Sequence, residues 1–397
     1  MMNPPDNVQY DRNNSAKLPA WQQTGKVIRV FLTLLSIISL LCGRTAGAID
    51  YPKADEHVLF FPALAWQSDG QSDGQSGGQS DGQAGEPSGW TVELHGWIFE
   101  PNLFSDLLEP LRLVLSLPEP VVDTTVDADS QQLWEQRGHW FTVDNERGKR
   151  LAVRLGNDVY TLPASRPNGH FSGVIELSAE PPAQFAVETA AHDSRRFTGE
   201  LLAIPPTGLS IVSDIDDTIK ISQVLDTSEL LRNTFLRPYR AVPGMADLYQ
   251  HWQARGAVFH YVSASPWQLY RPLRDFMDEA GYPLGSFQLR YFRWKDQTAV
   301  IFLQDSSAHK TAALETLLSR YPQRQFLLIG DAGEHDPEIY GALARRFPEQ
   351  VKAILIRALA GADLSTIRWK QAFAGLPASL WHLFSDPAEL PDNLLND

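Results

Sequence analysis

The sequence predicts an α/β domain, with a parallel sheet between helices, preceded by a smaller all-β sandwich or barrel domain. Three observations carry this. After Pro205-Pro206, short apolar runs alternate with stretches of helical character, the rhythm of parallel strands joined by right-handed crossovers. Before that point the runs are strand-like and divided by turn pairs such as Asn157-Asp158 and Asn168-Gly169. At 397 residues the chain also exceeds the ~250 to 300 residues over which one core usually grows.

The elements follow in chain order. Val27 to Cys42 is apolar apart from Arg29, Ser and Thr; Lys17 and Lys26 flank it, and Ala46-Gly47-Ala48 offers small residues for cleavage. Residues 1–48 therefore read as a secretory signal peptide, or alternatively as a membrane anchor, although the run is shorter than the roughly 20 residues of a full span. The expected location is exported, periplasmic or secreted, with anchoring to the membrane as the alternative. Cys42 is the only cysteine and leaves with the signal, which excludes disulfides and thiolate metal sites from the remainder.

Residues 49–205 read as the β-rich domain. A Gln-Ser-Asp-Gly tract at 67–89 contains nothing that could build a core and is expected to be a disordered loop. Strand-like segments lie on either side, at 57–65 and 90–99, so the tract reads as an expanded connection within one domain. Further strands are expected at 140–143, 151–155, 159–162, 171–177 and 197–204, with a short helix at 102–115.

Residues 206–397 read as the α/β domain. Strands are expected at 209–213, 257–263, 287–292, 325–329 and 351–356. Helices are expected at 244–255, 268–280, 309–320 and 337–347. Ligands of such sheets bind outside the carboxyl ends of the strands. The formal net charge of −14 argues against nucleic acid as a partner, because gripping its backbone needs clustered Lys and Arg. Residues 1–48 hold five basic and two acidic residues, so the rest is more acidic still.

The most informative run is Ile211-Val212-Ser213-Asp214-Ile215-Asp216-Asp217-Thr218. It reads as an apolar strand ending in carboxylates two apart, and side chains two apart on an extended segment point the same way. Asp214 and Asp216 are thus expected to face one small volume, where a divalent cation relieves their repulsion. One carboxylate can attack phosphorus while the other handles a proton. Ser263, at the end of the next strand, can donate to a phosphoryl oxygen. Lys310, at a helix start, can act with the helix dipole on the same anion. Asp331, in Gly330-Asp331-Ala332-Gly333-Glu334-His335-Asp336, can complete an oxygen-rich magnesium site.

In that order these motifs resemble the haloacid dehalogenase (HAD) superfamily of phosphatases. The segments 213–220, 260–267 and 329–340 more narrowly resemble the App1-type phosphatidate phosphatase catalytic domain, over roughly 206–360. His95-Gly96-Trp97-Ile98-Phe99-Glu100 resembles what precedes this domain in bacterial relatives. The resemblance implies a HAD-like Rossmannoid fold and an aspartyl-phosphate intermediate. Asp214 is then the nucleophile, and Asp216 protonates the departing oxygen and later activates water. Thr218 and Ser263 hold the phosphoryl group and Lys310 offsets its charge. Asp214, Asp331 and the main-chain carbonyl of Asp216 bind Mg²⁺. The implied substrate is a phosphorylated lipid, phosphatidate, split to diacylglycerol and phosphate.

Other residues carry plainer readings. Asp217 is expected behind the site or exposed, and Asp336, just before Pro337, behind the site or as a helix N-cap. His260 and His335 read as packing or surface residues. Trp267, Tyr270 and the mixed aromatic and basic segment 290–295 could dock a lipid and touch a membrane surface, or could be core aromatics. Two further functions remain open: a periplasmic phosphatase for soluble phosphomonoesters, and a non-catalytic envelope-binding protein.

Overall fold

The computed structural model describes residues 49–67, 89–101, 108, 111–112, 115, 125–291, 307–391 and 394. The expected signal, nearly all of the Gln-Ser-Asp-Gly tract and residues 292–295 lie outside these. So does most of the helix expected at 102–115, of which Leu108, Leu111 and Arg112 are helical.

The first half carries strands β1 (His57–Phe60), β2 (Ala63–Gln67), β3 (Trp90–Glu100), helix α1 (Thr125–Gly138), β4 (Asp144–Asn145), β5 (Ala152–Leu155), β6 (Asp158–Thr161), β7 (His170–Leu177), β8 (Gln184–Val187) and β9 (Thr198–Ile204). β3 is the hub, pairing antiparallel with β1, β2, β4 and β7. Gln67 pairs with Trp90, which sets the two flanks of the tract side by side. β2 and β9 pair in parallel, and β8, β5 and β6 continue from β9. The strand expected at 140–143 is instead a single turn of 3₁₀ helix, His139–Phe141, that extends α1. Its aromatic residues pack inward rather than along a ladder: Phe141 lies against Phe235, with ring centroids 5.8 Å apart.

The second half alternates β10 (Gly208–Ser213), α2 (Thr227–Phe235), α3 (Met245–Ala254), β11 (Val258–Pro266), α4 (Tyr270–Ala280), β12 (Gly285–Arg290), α5 (Ser307–Arg320), β13 (Arg324–Asp331), α6 (Asp336–Arg346), β14 (Val351–Arg357), α7 (Thr366–Ala372) and β15 (Trp381–Phe384). The six strands form one sheet in the order β12-β11-β10-β13-β14-β15, every pair parallel. Unbroken apolar runs such as Phe326 to Ile329 suit strands covered on both faces. Ile211, Leu327, Ile329 and Leu355 enter one buried cluster. Val212, Leu328, Ile354 and Ile356 enter another, as the two-residue alternation of strands requires.

Residues 49–397 cluster as one compact unit. Phe61, Trp97 and Trp134 of the first half join the first cluster, and Leu64 and Ile204 join the second. The β-rich half also contains the helix α1, so contacts do not set it apart as the all-β sandwich or barrel expected from the sequence. Arg324, 1% exposed, ties the junction to the sheet. Its guanidinium donates to the carbonyls of Pro205, Thr207 and Leu209 and to the Ser210 hydroxyl. The strand order runs outward in both directions from the β10–β13 pair, and a crevice opens at such a switch point.

Candidate active site

The β10–β13 register, Ser213 opposite Ile329, brings Asp214 and Asp331 out at the same edge of the sheet. The Asp214 amide donates to the Ile329 carbonyl at 2.9 Å, which fixes where its side chain begins. Asp214 Oδ2 accepts from the Thr218 hydroxyl at 3.1 Å, and Oδ1 lies 2.9 Å from Lys310 Nζ. Lys310, on the first turns of α5, also reaches Glu334 at 2.7 Å and Asp336 at 2.8 Å.

Asp336 is wholly buried at the start of α6. Its side chain makes no cap bond to α6 itself; Oδ2 instead accepts from the Asp331 amide at 3.2 Å. Gly330 is what lets it come so close, since a Cβ there would lie 2.2 Å from Asp336 Oδ2. Asp331 Oδ1 accepts from the amides of Gly333 and Glu334 at 2.6 and 3.2 Å.

Oxygens of Asp214, Asp331 and Asp336 lie within 4.8 Å of one another, all three residues being buried. Asp331 Oδ2 is buried with no hydrogen-bond partner among the described residues. An unpaired buried carboxylate oxygen is costly, and an all-oxygen donor set suits a hard divalent cation. The residues present therefore fit Mg²⁺. Burial pushes the carboxyls of Asp214 and Asp331 well above the usual range; Lys310 opposes this, while neighbouring carboxylates add to it. For Lys310, burial works against the charge, but Asp214, Asp336 and Glu334 overcome it and hold the ammonium well above its ordinary range.

Asp216, beside Asp214, binds a set of partners of its own. The strand ends at Ser213, so the two-residue alternation no longer governs, and the two carboxylates repel but bind different partners. Asp216 faces β11, where Oδ2 accepts from the hydroxyls of Ser263 and Ser265 at 3.1 Å each. Oδ1 lies 2.7 Å from Lys220 Nζ and accepts from Ser222 Oγ at 2.7 Å. Burial acts to raise this carboxyl, but Lys220 and the hydroxyls outweigh it and hold it down at about 2.

Asp217 organises the loop that follows. At φ 53° it occupies the left-handed region, and its carboxylate accepts from the amides of Ser222 and Val224 at 2.8 and 2.6 Å. Its carbonyl accepts from Arg357 at 2.7 Å. Arg368 of α7 holds the carbonyls of Ala332 and Glu334 at 2.6 and 2.5 Å.

The structure thus gathers Asp214, Thr218, Lys310, Asp331 and Asp336 at one point, with Asp216 and Ser263 beside them. Sequence reasoning gave no role to Lys220, Ser222, Ser265, Glu334 or Arg368. Three of them stand inside the quoted motifs or next to one, but their partners depend on how the loops turn. Trp267 and Tyr270 are 3% and 4% exposed, packed on Phe61 at ring-centroid distances of 4.2 and 4.8 Å. They are core residues, and the lipid-docking reading fails for them because their rings do not reach solvent. His260 is buried between Ser286 and Ser210, and His335 is exposed.

Residues 209–358 match the family model described as phosphatidate phosphatase APP1, catalytic domain. An uncharacterized protein of Schizosaccharomyces pombe is 33% identical over 207 residues, covering 49% of this chain and 34% of that protein. Phosphatidate phosphatase APP1 of Saccharomyces cerevisiae is 33% identical over 158 residues, covering 39% of this chain and 26% of that protein. The match therefore spans about a third or less of these relatives' own length. Among solved structures, a HAD family hydrolase from Salmonella enterica serovar Typhi aligns at TM-score 0.28 and 14% identity, over 66% of this chain and 92% of that one.

Proposed function

We propose, from the match of residues 209–358 to the App1 phosphatidate phosphatase catalytic-domain model, that this chain is a Mg²⁺-dependent phosphomonoesterase working through covalent catalysis on Asp214. One observation carries the reading. Asp214, Asp331 and Asp336 converge with an orphaned oxygen on Asp331, beside a second carboxylate held by serine hydroxyls.

Phosphoryl transfer asks the protein mainly for positioning and charge neutralisation. Asp214, Asp331 and Asp336 would hold Mg²⁺, which when bound supplies charge neutralisation and Lewis acidity at the phosphoryl oxygens. Thr218 turns its hydroxyl from Asp214 Oδ2 to the phosphoryl group, which frees that oxygen to attack phosphorus. The P–O bond to the alcohol breaks as the P–O bond to Asp214 forms. Asp216, ionised at rest, gains proton affinity when an anionic ester arrives beside it, takes the proton that the ester monoanion carries and gives it to the departing alkoxide. Ser263 and Ser265 hold the phosphoryl oxygens, and Lys310 offsets charge on Asp214. In the second step Asp216 takes a proton from water, the resulting hydroxide attacks phosphorus, and Asp214 departs with its electron pair. Ester and water become alcohol and phosphate.

The family favours phosphatidate as the ester, and peripheral contact with a lipid surface follows from such a substrate. The apolar run at 27–42 and the small residues at 46–48 support export; the mass of the amino terminus of protein from intact cells tests it. Purified protein with Mg²⁺ should release phosphate from phosphatidate in mixed micelles faster than from nitrophenyl phosphate or sugar phosphates. The reverse ranking supports a soluble-ester phosphatase. Asp214→Asn should abolish turnover with the fold intact, and a variant as active as the parent overturns the covalent mechanism.

A further inference from the structure

Asp216 is held by more groups than a proton transfer requires, and the two oxygens are held differently. Oδ2 meets two neutral hydroxyls, Ser263 and Ser265. Oδ1 meets a buried ammonium and a third hydroxyl, Lys220 and Ser222, both at 2.7 Å. Lys220 is 1% exposed and donates to Ser222 Oγ at 2.5 Å. Its ammonium lies 5.0 Å from the centroid of the Tyr239 ring, a cation–π contact. Arg137, on α1 of the first half, stacks on that same ring at 3.8 Å. Burying an amine is expensive, and no step described above uses this one.

We propose that Lys220, seconded by Ser222, is a positioning residue that pins Oδ1 of Asp216, so that Oδ2 alone is presented for proton transfer. The inference rests on the covalent reading above and adds to it a division of labour within one carboxylate. The ionic side stays fixed through the reaction, and the hydroxyl side exchanges its partners when substrate binds. A carboxylate free to rotate would present the wrong oxygen, or neither, at the moment the alkoxide needs a proton. The loss should therefore depend on how badly the leaving group needs that proton.

Leaving-group dependence supplies the test. Nitrophenolate departs without a proton, whereas the alkoxide of an alkyl ester does not. Steady-state kcat and KM are measured with Mg²⁺ for nitrophenyl phosphate and for phosphatidate in mixed micelles, using the parent, Lys220→Met and Ser222→Ala. For Lys220→Met the ratio of alkyl to aryl kcat should fall by about 10²-fold, the low end of what a general acid contributes, with KM for each ester within a few-fold of the parent's. Ser222→Ala should move the ratio the same way by about tenfold, the worth of one hydrogen bond to a charged group. Ser222→Ala carries the test if Lys220→Met does not fold. An unchanged ratio, or rates for both esters falling in parallel, overturns the inference and leaves the covalent reading standing. A parent protein inactive on both esters overturns the reading itself, and the inference with it.

Discussion

Replacing Lys310 by methionine removes one positive charge from a buried point where Asp214, Glu334 and Asp336 meet it at 2.9, 2.7 and 2.8 Å. The lysine and two of the three carboxylates are at most 2% exposed in their side chains, so water cannot take the place of the lost ammonium. Breaking a buried ion pair on one side costs about 3 to 5 kcal/mol, because the other charge stays behind uncompensated. Urea unfolding followed by tryptophan fluorescence, with metal chelated, should show a loss in that range. Excess MgCl₂ should narrow the gap to the parent, because without the ammonium the carboxylates bind the cation more tightly, and each tenfold gain in affinity for the folded state adds about 1.4 kcal/mol at saturating metal. A loss below about 1 kcal/mol, the worth of a surface pair, would refute the claim that Lys310 neutralises the cluster. Failure of Mg²⁺ to narrow the gap would show that the two cations do not serve the same carboxylates.

Two further outcomes follow. Excess MgCl₂ should raise the thermal unfolding midpoint of the parent, and Asp331→Asn should cut that shift sharply; equal shifts would place the cation elsewhere. His260 is fully buried, and burial, helped by Arg324 and Arg320, holds its ring down at about 3. Below a pH of about 6.5 the unfolded chain therefore binds a proton that the folded one refuses, and the parent loses about 1.4 kcal/mol per pH unit until the pH nears 3. His260→Gln, whose amide can still bond Ser210 and Ser286, escapes that loss. Between pH 6.5 and 5 the difference in urea stability should move about 2 kcal/mol in the variant's favour, and a difference that stays constant contradicts a neutral buried His260.

The α/β half was legible because its strands are continuous apolar runs, and a strand buried on both faces can hardly be written otherwise. The positions of Asp214, Ser263 and Asp331 followed from those strands, since each stands where an apolar run stops. Helix α1 was missed because Thr125-Val126-Asp127-Ala128-Asp129 opens it without an apolar stripe, and Trp140 to Val143 was read as a strand from aromatic and β-branched content alone. Asp336 was read partly as an N-cap because a residue before proline at a helix start usually is one. Only the three-dimensional approach of Lys310 and the Asp331 amide shows that its carboxylate turns toward the acidic cluster rather than toward the helix. Lys220 and Ser222 were beyond sequence reasoning, because the left-handed turn at Asp217 that folds them back onto Asp216 carries no glycine to announce it.

Because Phe61, Trp97 and Trp134 complete one buried cluster of the α/β half and Leu64 and Ile204 the other, the match to 209–358 does not mark out a portable module. A fragment cut at Pro206 would leave the contact surfaces of those five side chains facing solvent and would be prone to precipitate. Moving that segment into a new architecture would require its partner sheet to travel with it, or a replacement cover to be in place already.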